Sequence, residues 1–294
     1  MINFNRIKTY SIKNIEHKFH VGNITPLQKS GILSHNQNLE QLADSIKTAR
    51  QNSKEFILMM GAHLIKLGLS DFIIDLINKQ YITHIAMNGA GAIHDFELSY
   101  AGATSEDISK NIENGSFGMA DETSHYINKT AKTAAKNEIG LGHEIGKLIS
   151  DIDCEYKNHS ILYTTYKLKI PTTVHTTIGT ETIYQHPKCD AGALGISSYN
   201  DFKKLTESIS KLEKGVVVNL GSAVIMPEVF LKSFTIARNL GYKINDFTAA
   251  NLDMIDHYRP RVNVVERPTS LGGKGFNIIE KHEKSIPTLH YFLT

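Results

Sequence analysis

The feature that most constrains this chain is a unit that repeats from Glu55 onward. A short, unbroken apolar run ends in glycine or asparagine and leads into a longer stretch with helical spacing. "FILMMGA" precedes "HLIKLGLSDFIIDLINKQ", and "ITHIAMNGAGA" precedes a helical stretch beginning near His94. Similar runs follow in "IPTTVHTTIGT", "GVVVNLGSAV", "DFTAANLD" and "RVNVVERPT". Unbroken apolar strands alternating with helices are the mark of a parallel sheet covered on both faces. The expectation is a single doubly wound, mostly parallel α/β domain over residues 54–294. In residues 1–53, Leu39, Leu42, Ile46 and Ala49 fall at helical spacing, which predicts an N-terminal helical segment leading into that domain. The polar, helix-forming stretch near residues 105–158 predicts a helical insertion over the mouth of the sheet. Gly140, Gly142 and Gly146 would weaken a regular helix within it.

Composition narrows the partners. The 294 residues carry a formal charge of +2, with Lys and Arg scattered, which argues against nucleic acid or an anionic membrane. No apolar run approaches the roughly 18 residues of a membrane span, and the N-terminus lacks an apolar signal core. Two cysteines, Cys154 and Cys189, make a disulfide framework unexpected. A cytoplasmic protein is the expectation. His186 and Cys189 form an H-x-x-C pair, but no second pair at zinc spacing follows, so no metal is expected.

In open α/β sheets ligands sit beyond the carboxyl ends of the strands, where helix starts offer unpaired N–H groups. Gly61, the turn Asn88-Gly89-Ala90-Gly91, Gly221-Ser222 and the small residues from Thr248 and Ala249 read as such strand ends. Tight turns need glycine in any case, so each alone is weak; together they favour a nucleotide or another extended ligand. The spacing differs from the single dinucleotide fingerprint G-x-G-x-x-G. His94 and Asp95 open the helix after one turn. His94 suits proton exchange near neutral pH, whereas Asp95 can either cap N–H groups or meet a ligand. The segment "IDHYRPRVNVVERP" gathers Asp256, His257, Tyr258, Arg259, Arg261, Glu266 and Arg267, and its arginines suit a carboxylate or phosphate.

The stretch "FILMMGAHLIKLGLSDFIIDLINKQYITHIAMNGAGAIHDFE" resembles the early core of deoxyhypusine synthase. "HPKCDAGALG", "VVVNLGSAVIMPEVFLKSFTIARNLGYKINDFTAANLD" and "TSLGGKG" are similar to that family's later landmarks in the same order. The resemblance runs from about Glu55 to the C-terminus, with the middle section poorly matched. It implies a Rossmann-like NAD-binding domain and a homotetramer with sites between subunits. The implied activity is a transferase that oxidises an amine with NAD and passes an aminobutyl group through a lysine imine. Lys274 would be that lysine, with His94 beside it in the chemistry. Asp190, Gly192, Gly221, Ser222, Thr248, Ala249, Gly89 and Gly91 would line NAD.

The chain departs from the family at Gly272, where the family has tryptophan, at Pro268, where it has glutamate, and at Ile196, where it has an acid. It also lacks the family's histidine in "GSAVIMPEV". These groups grip the polyamine, so the expectation is NAD-dependent chemistry on an amine or amino-acid-like substrate rather than strict deoxyhypusine synthesis. Asp95, His257, Arg259 and Glu266 are its candidate substrate contacts. Two alternatives stay open: a non-catalytic nucleotide- or metabolite-binding protein, and another NAD-dependent amino-acid or amine enzyme on the same fold. A protein acceptor is not specified by the sequence.

Overall fold

Apolar strands form where the sequence marks them, with one exception. The computed structural model describes residues 2–294. Its strands in chain order are β1 (His17–His20), β2 (Phe56–Met60), β3 (His84–Asn88), β4 (Ala103–Glu106), β5 (Thr172–His175), β6 (Val216–Leu220), β7 (Thr248–Asp253) and β8 (Lys274–Ile279). The main helices are α1 (Gln37–Gln51), α2 (His63–Lys66), α3 (Ser70–Asn78), α4 (Gly89–Ala101), α5 (Ile108–Glu113), α6 (Asp121–Lys136), α7 (Leu141–Asp151), α8 (Ile161–Lys167), α9 (Ala191–Ile209), α10 (Ile225–Asn239), α11 (Arg267–Thr269) and α12 (His282–Leu293).

Six strands form one wholly parallel sheet in the order β5–β3–β2–β6–β7–β8. Every residue of β2, β6 and β7 is buried, as unbroken apolar runs require. Alternate residues feed two cores. Phe56, Leu58, Met60 and Leu220 pack with residues of α1, α3 and α12 on one face. Ile57, Met59, Val217 and Ala249 meet residues of α9 and α10 on the other. A fully buried large side chain among them contributes about 1.5–3 kcal/mol. Leu39, Leu42 and Ile46 of α1 belong to the first of these cores. β1 and β4 pair antiparallel as a separate two-stranded ribbon. Residues 105–158 hold α5, α6 and α7 within the connection from β3 to β5.

The exception is "RVNVVERPT". Pro260–Glu266 is a π-helical segment in which Val262 is buried and Val264 and Val265 join the second core. β7 and β8 are parallel neighbours, so the chain must return to the opposite edge of the sheet between them. A crossover does this, and it overrides the strand preference of the valines. The sixth strand is instead formed by "KGFNII", a run of mixed polarity at the edge.

The chain builds β2, β3 and β5 outward in one direction, then returns to place β6 against the other side of β2. The helices after β2 and β6 leave on opposite faces. This is the topological switch point, the place at the carboxyl ends of the strands where open α/β sheets hold their ligands. Here the two turns touch. The Gly61 N–H donates to the Leu220 carbonyl at 3.0 Å. A Cβ on residue 61 would lie 2.3 Å from the Gly221 carbonyl oxygen, and Gly221 itself has φ +61°.

Two alanine substitutions separate these demands. Gly61→Ala is expected to cost about 2 kcal/mol, the range of overpacking against an unyielding neighbour. Gly195→Ala, inside α9 with open space at its Cβ position, should instead gain about 0.5–1 kcal/mol. Urea denaturation of both variants measures the contrast; a gain at both would mean that the turns do not meet.

Candidate functional site at the carboxyl edge of the sheet

At the switch point, Gly221 and Ser222 lead into α10. The buried Ser222 hydroxyl accepts from the Met226 N–H at 3.2 Å. Among the described residues, the N–H groups of Ala223, Val224 and Ile225 reach no acceptor, so the start of this long helix is open to a ligand. Beneath it runs a row of amides. Asn219 donates to the Ser222 carbonyl (3.0 Å) and to Asn251 (2.9 Å), Asn251 donates to Asn277 (2.9 Å), and Asn277 donates to Asp256 (3.1 Å). The rings of His63, after β2, and His282, at the start of α12, meet at a tilt of 59° and a centroid distance of 5.7 Å. Burial lowers the pKa of both below that of a free imidazole, which favours their neutral forms. The His282 ring lies against Gly221: a Cβ there would be 2.8 Å from its Nε2.

A hollow of about 200 Å³ lies over α4. His94, Glu97, Glu106, Glu181, Lys66 and His17 line it. Its acids come from α4, from β4 and from the loop before α9. Gly102, at φ +66°, ends α4 in the left-handed conformation and turns the chain back along it as β4. That return sets the Thr104 hydroxyl 2.6 Å from His94 Nδ1 and 2.5 Å from Glu97 Oε2. Thr123 donates to the other Glu97 oxygen at 3.1 Å. Glu106 accepts from the Gly118 N–H and from Asn111, each at 2.7 Å, and Glu181 accepts from the Thr177 N–H at 3.1 Å. Among the described residues, none of the three carboxylates pairs with a lysine or arginine. Burial pushes the Glu97 carboxyl up to about 7, against the pull of the two threonines. Burial, helped by Lys66 and His17, lowers His94 to about 3.

The structure divides the sequence-predicted residues between the two edges of the sheet. Gly61, Asn88, Gly89, Gly91, His94, Gly221 and Ser222 lie at or above the carboxyl edge. Asp190 and Gly192 lie on the same side, in the first turn of α9, where Asp190 accepts from the Ala193 N–H at 3.0 Å. Lys274, Thr248 and Ala249 do not join them. Thr248 begins β7 rather than ending a strand, Ala249 follows it inside the core, and Lys274 begins β8 opposite Thr248. All three are at the amino end of parallel strands, with the length of the sheet between them and the glycine turns.

The start of α4 is already filled. Asn88 accepts from the Gly91 N–H at 2.8 Å, and a Cβ on Gly89 would meet the Glu181 carboxylate at 2.6 Å. Asp95 faces inward and caps a different helix, accepting from Ser160 (2.5 Å) and from the Ile161 and Leu162 N–H groups at the start of α8. It is therefore shut away from any substrate. The arginines of the segment already have partners: Arg259 pairs with Glu228 of α10 at 3.3 Å and Arg261 with Glu266 at 2.8 Å, with His257 half-buried nearby. His186 Nε2 contacts Asp121 at 3.1 Å, and the Cys189 N–H donates to the His186 carbonyl at 2.9 Å.

Sequence reasoning missed Glu97, Thr104, Glu106, Glu181, His63 and His282. Glu97 was accessible, since it follows His94 by three positions on one helix face. The others reach the edge through turns that leave no motif.

A six-stranded parallel sheet whose order reverses at its centre, with helices on both faces, defines a Rossmann-like α/β fold. No family model matches the sequence, and no curated protein matches it. Solved structures do match. AgrE, in a ternary complex with ornithine and NAD+, is 13% identical over 92% of this chain and 34% of its own, at TM-score 0.57. A LOR/SDH protein from Methanococcus maripaludis S2 is 15% identical over 94% of this chain and 72% of its own, at TM-score 0.54. A protein assigned as a deoxyhypusine synthase from Entamoeba histolytica is 12% identical over 97% and 96%, at TM-score 0.49. The likeness to AgrE and to the LOR/SDH protein is one of fold, and this chain spans about a third of the length of AgrE.

Asp95→Ala would leave two helix N–H groups and a hydroxyl buried without an acceptor. The expected loss is about 3 kcal/mol in denaturant unfolding. A loss under about 0.5 kcal/mol would show that the cap is dispensable.

Proposed function

We propose that this protein binds NAD at the switch point between β2 and β6 and uses it in redox chemistry on an amine or amino-acid-like substrate. The observation that carries the reading is the apposition of Gly61 and Gly221 beside the open start of α10. Neither residue presents a Cβ to an approaching pyrophosphate, and three free N–H groups with the helix dipole suit its charge. Gly61, Gly221, Ser222 and the first turn of α10 would hold it. NAD, when bound, supplies a hydride acceptor for a carbon next to nitrogen.

His94 is the acid–base residue of this reading, since its ring lines the hollow over α4. The Glu106 and Glu181 carboxylates of that hollow, which pair with no lysine or arginine among the described residues, suit a substrate bearing an ammonium group. The fold likeness to a protein bound to ornithine and NAD+ supports the same substrate class. The imine role of Lys274 requires a neighbouring copy of the chain, because within one chain it opens β8 at the far edge. A homo-oligomer with sites between subunits would meet that requirement.

Calorimetric titration with NAD+ tests the cofactor. Val224→Asp puts a carboxylate at the exposed cap of α10, a position that suits aspartate in the fold, and is expected to weaken binding more than about tenfold while the circular dichroism spectrum stays unchanged; absence of binding to the unaltered protein would sink the proposal. NADH formation over a panel of amino acids and amines tests the reaction. His94→Gln should lower kcat by about 10²–10⁴ with NAD affinity retained. Borohydride trapping with the active amine, read by mass on peptides containing Lys274, tests the imine.

A further inference from the structure

A threonine hydroxyl has one proton to give, and Thr104 stands between two groups that could take it. Its oxygen is 2.5 Å from Glu97 Oε2, a length suited to O–H···O⁻, and 2.6 Å from His94 Nδ1. An ionised carboxylate can only accept, so above the titration of Glu97 at about pH 7 Thr104 donates to it. The imidazole must then donate to Thr104. This fixes His94 with its proton on Nδ1. Nε2 is left as a bare acceptor, on a ring that lines the hollow.

We propose that His94, Thr104 and Glu97 form a proton wire, in which Nε2 takes a proton from an N–H or O–H group of a ligand in the hollow and Glu97 receives the charge-balancing proton. The ligand X–H bond breaks as Nε2–H forms. The Nδ1 proton passes to the Thr104 oxygen, and the original hydroxyl proton of Thr104 passes to Glu97 Oε2. Three protons move, no electrons are transferred to or from the protein, and the imidazole ends neutral in its other tautomer. Glu97 and Thr104 are positioning residues in this scheme, and His94 is the group that meets the ligand.

The surroundings decide where the proton rests. His94 faces Lys66 at the end of α2 and His17 on β1, and burial opposes an imidazolium there. Glu97 faces Glu106 on β4, Thr104 on β4 and Thr123 on α6, with Glu181 on the opposite wall. Its carboxyl therefore holds a proton near neutral pH far better than the ring does.

The identity of the ligand rests on the function proposed above, but the wire does not, so it can be tested without NAD or substrate. Nitrogen-15 NMR of protein labelled at histidine reports each imidazole tautomer, and His94→Gln identifies the signal among the 14 histidines. At about pH 8, above the titration of Glu97, the Nδ1–H form is expected. Thr104→Val should convert it to Nε2–H, and Thr104→Ser should restore it. The wild-type signal should titrate with a midpoint of about 7, and Glu97→Gln should abolish that titration. An Nε2–H ring in the wild type at about pH 8, or a tautomer indifferent to Thr104→Val, would overturn the wire. Either result leaves NAD binding to be judged by its own titration.

Discussion

One backbone contact governs the layout. The carbonyl of Gly221 fills the space in which a side chain on residue 61 would lie. Two parallel strands can end side by side with their following helices on opposite faces only if the turns between them stay narrow. The pair of glycines keeps them narrow. The open start of α10 and the placing of His282 against Gly221 both lie at that contact. The ligand edge of the sheet is therefore a product of packing before it is a product of chemistry.

The sheet was legible because burial on both faces removes polar residues from strands, and that leaves an unambiguous trace in β2, β3 and β6. Strand direction left a weaker one. "DFTAANLD" was recognised as a strand, but Thr248 was read as its end when it is the beginning. Lys274 was assigned by the resemblance of "TSLGGKG" to a family landmark, and within one chain it too begins its strand. A motif such as "LGGKGF" says that a lysine sits between glycines; it does not say which end of a strand it occupies. "RVNVVERPT" failed for a related reason. Local preference favoured extension, but the need to cross from one edge to the other left no room for it. Asp95 shows a third limit. Its capping chemistry was anticipated, but the capped helix begins 66 residues further along the chain, a contact no local pattern encodes.

The hollow over α4 illustrates how a site can be assembled from ordinary connections. α4 brings His94 and Glu97 to one face, and the left-handed turn at Gly102 folds β4 back to supply Thr104 and Glu106. β1 then pairs with β4 and adds His17 to the wall. Residues from near the N-terminus thus help to enclose a space whose chemical groups come from the centre of the chain. The low dielectric of that enclosure separates the proton affinities of His94 and Glu97, which would otherwise differ in the opposite sense.

The row Asn219–Asn251–Asn277 has a consequence for strand alignment. Each amide faces its in-register neighbour, so β6, β7 and β8 are joined by side-chain bonds as well as by their ladders. A slip of one residue between any two of these strands would turn an amide toward the opposite, hydrocarbon-filled layer and strand its donor there. The row therefore acts as a combination lock: three strands must be aligned together or not at all.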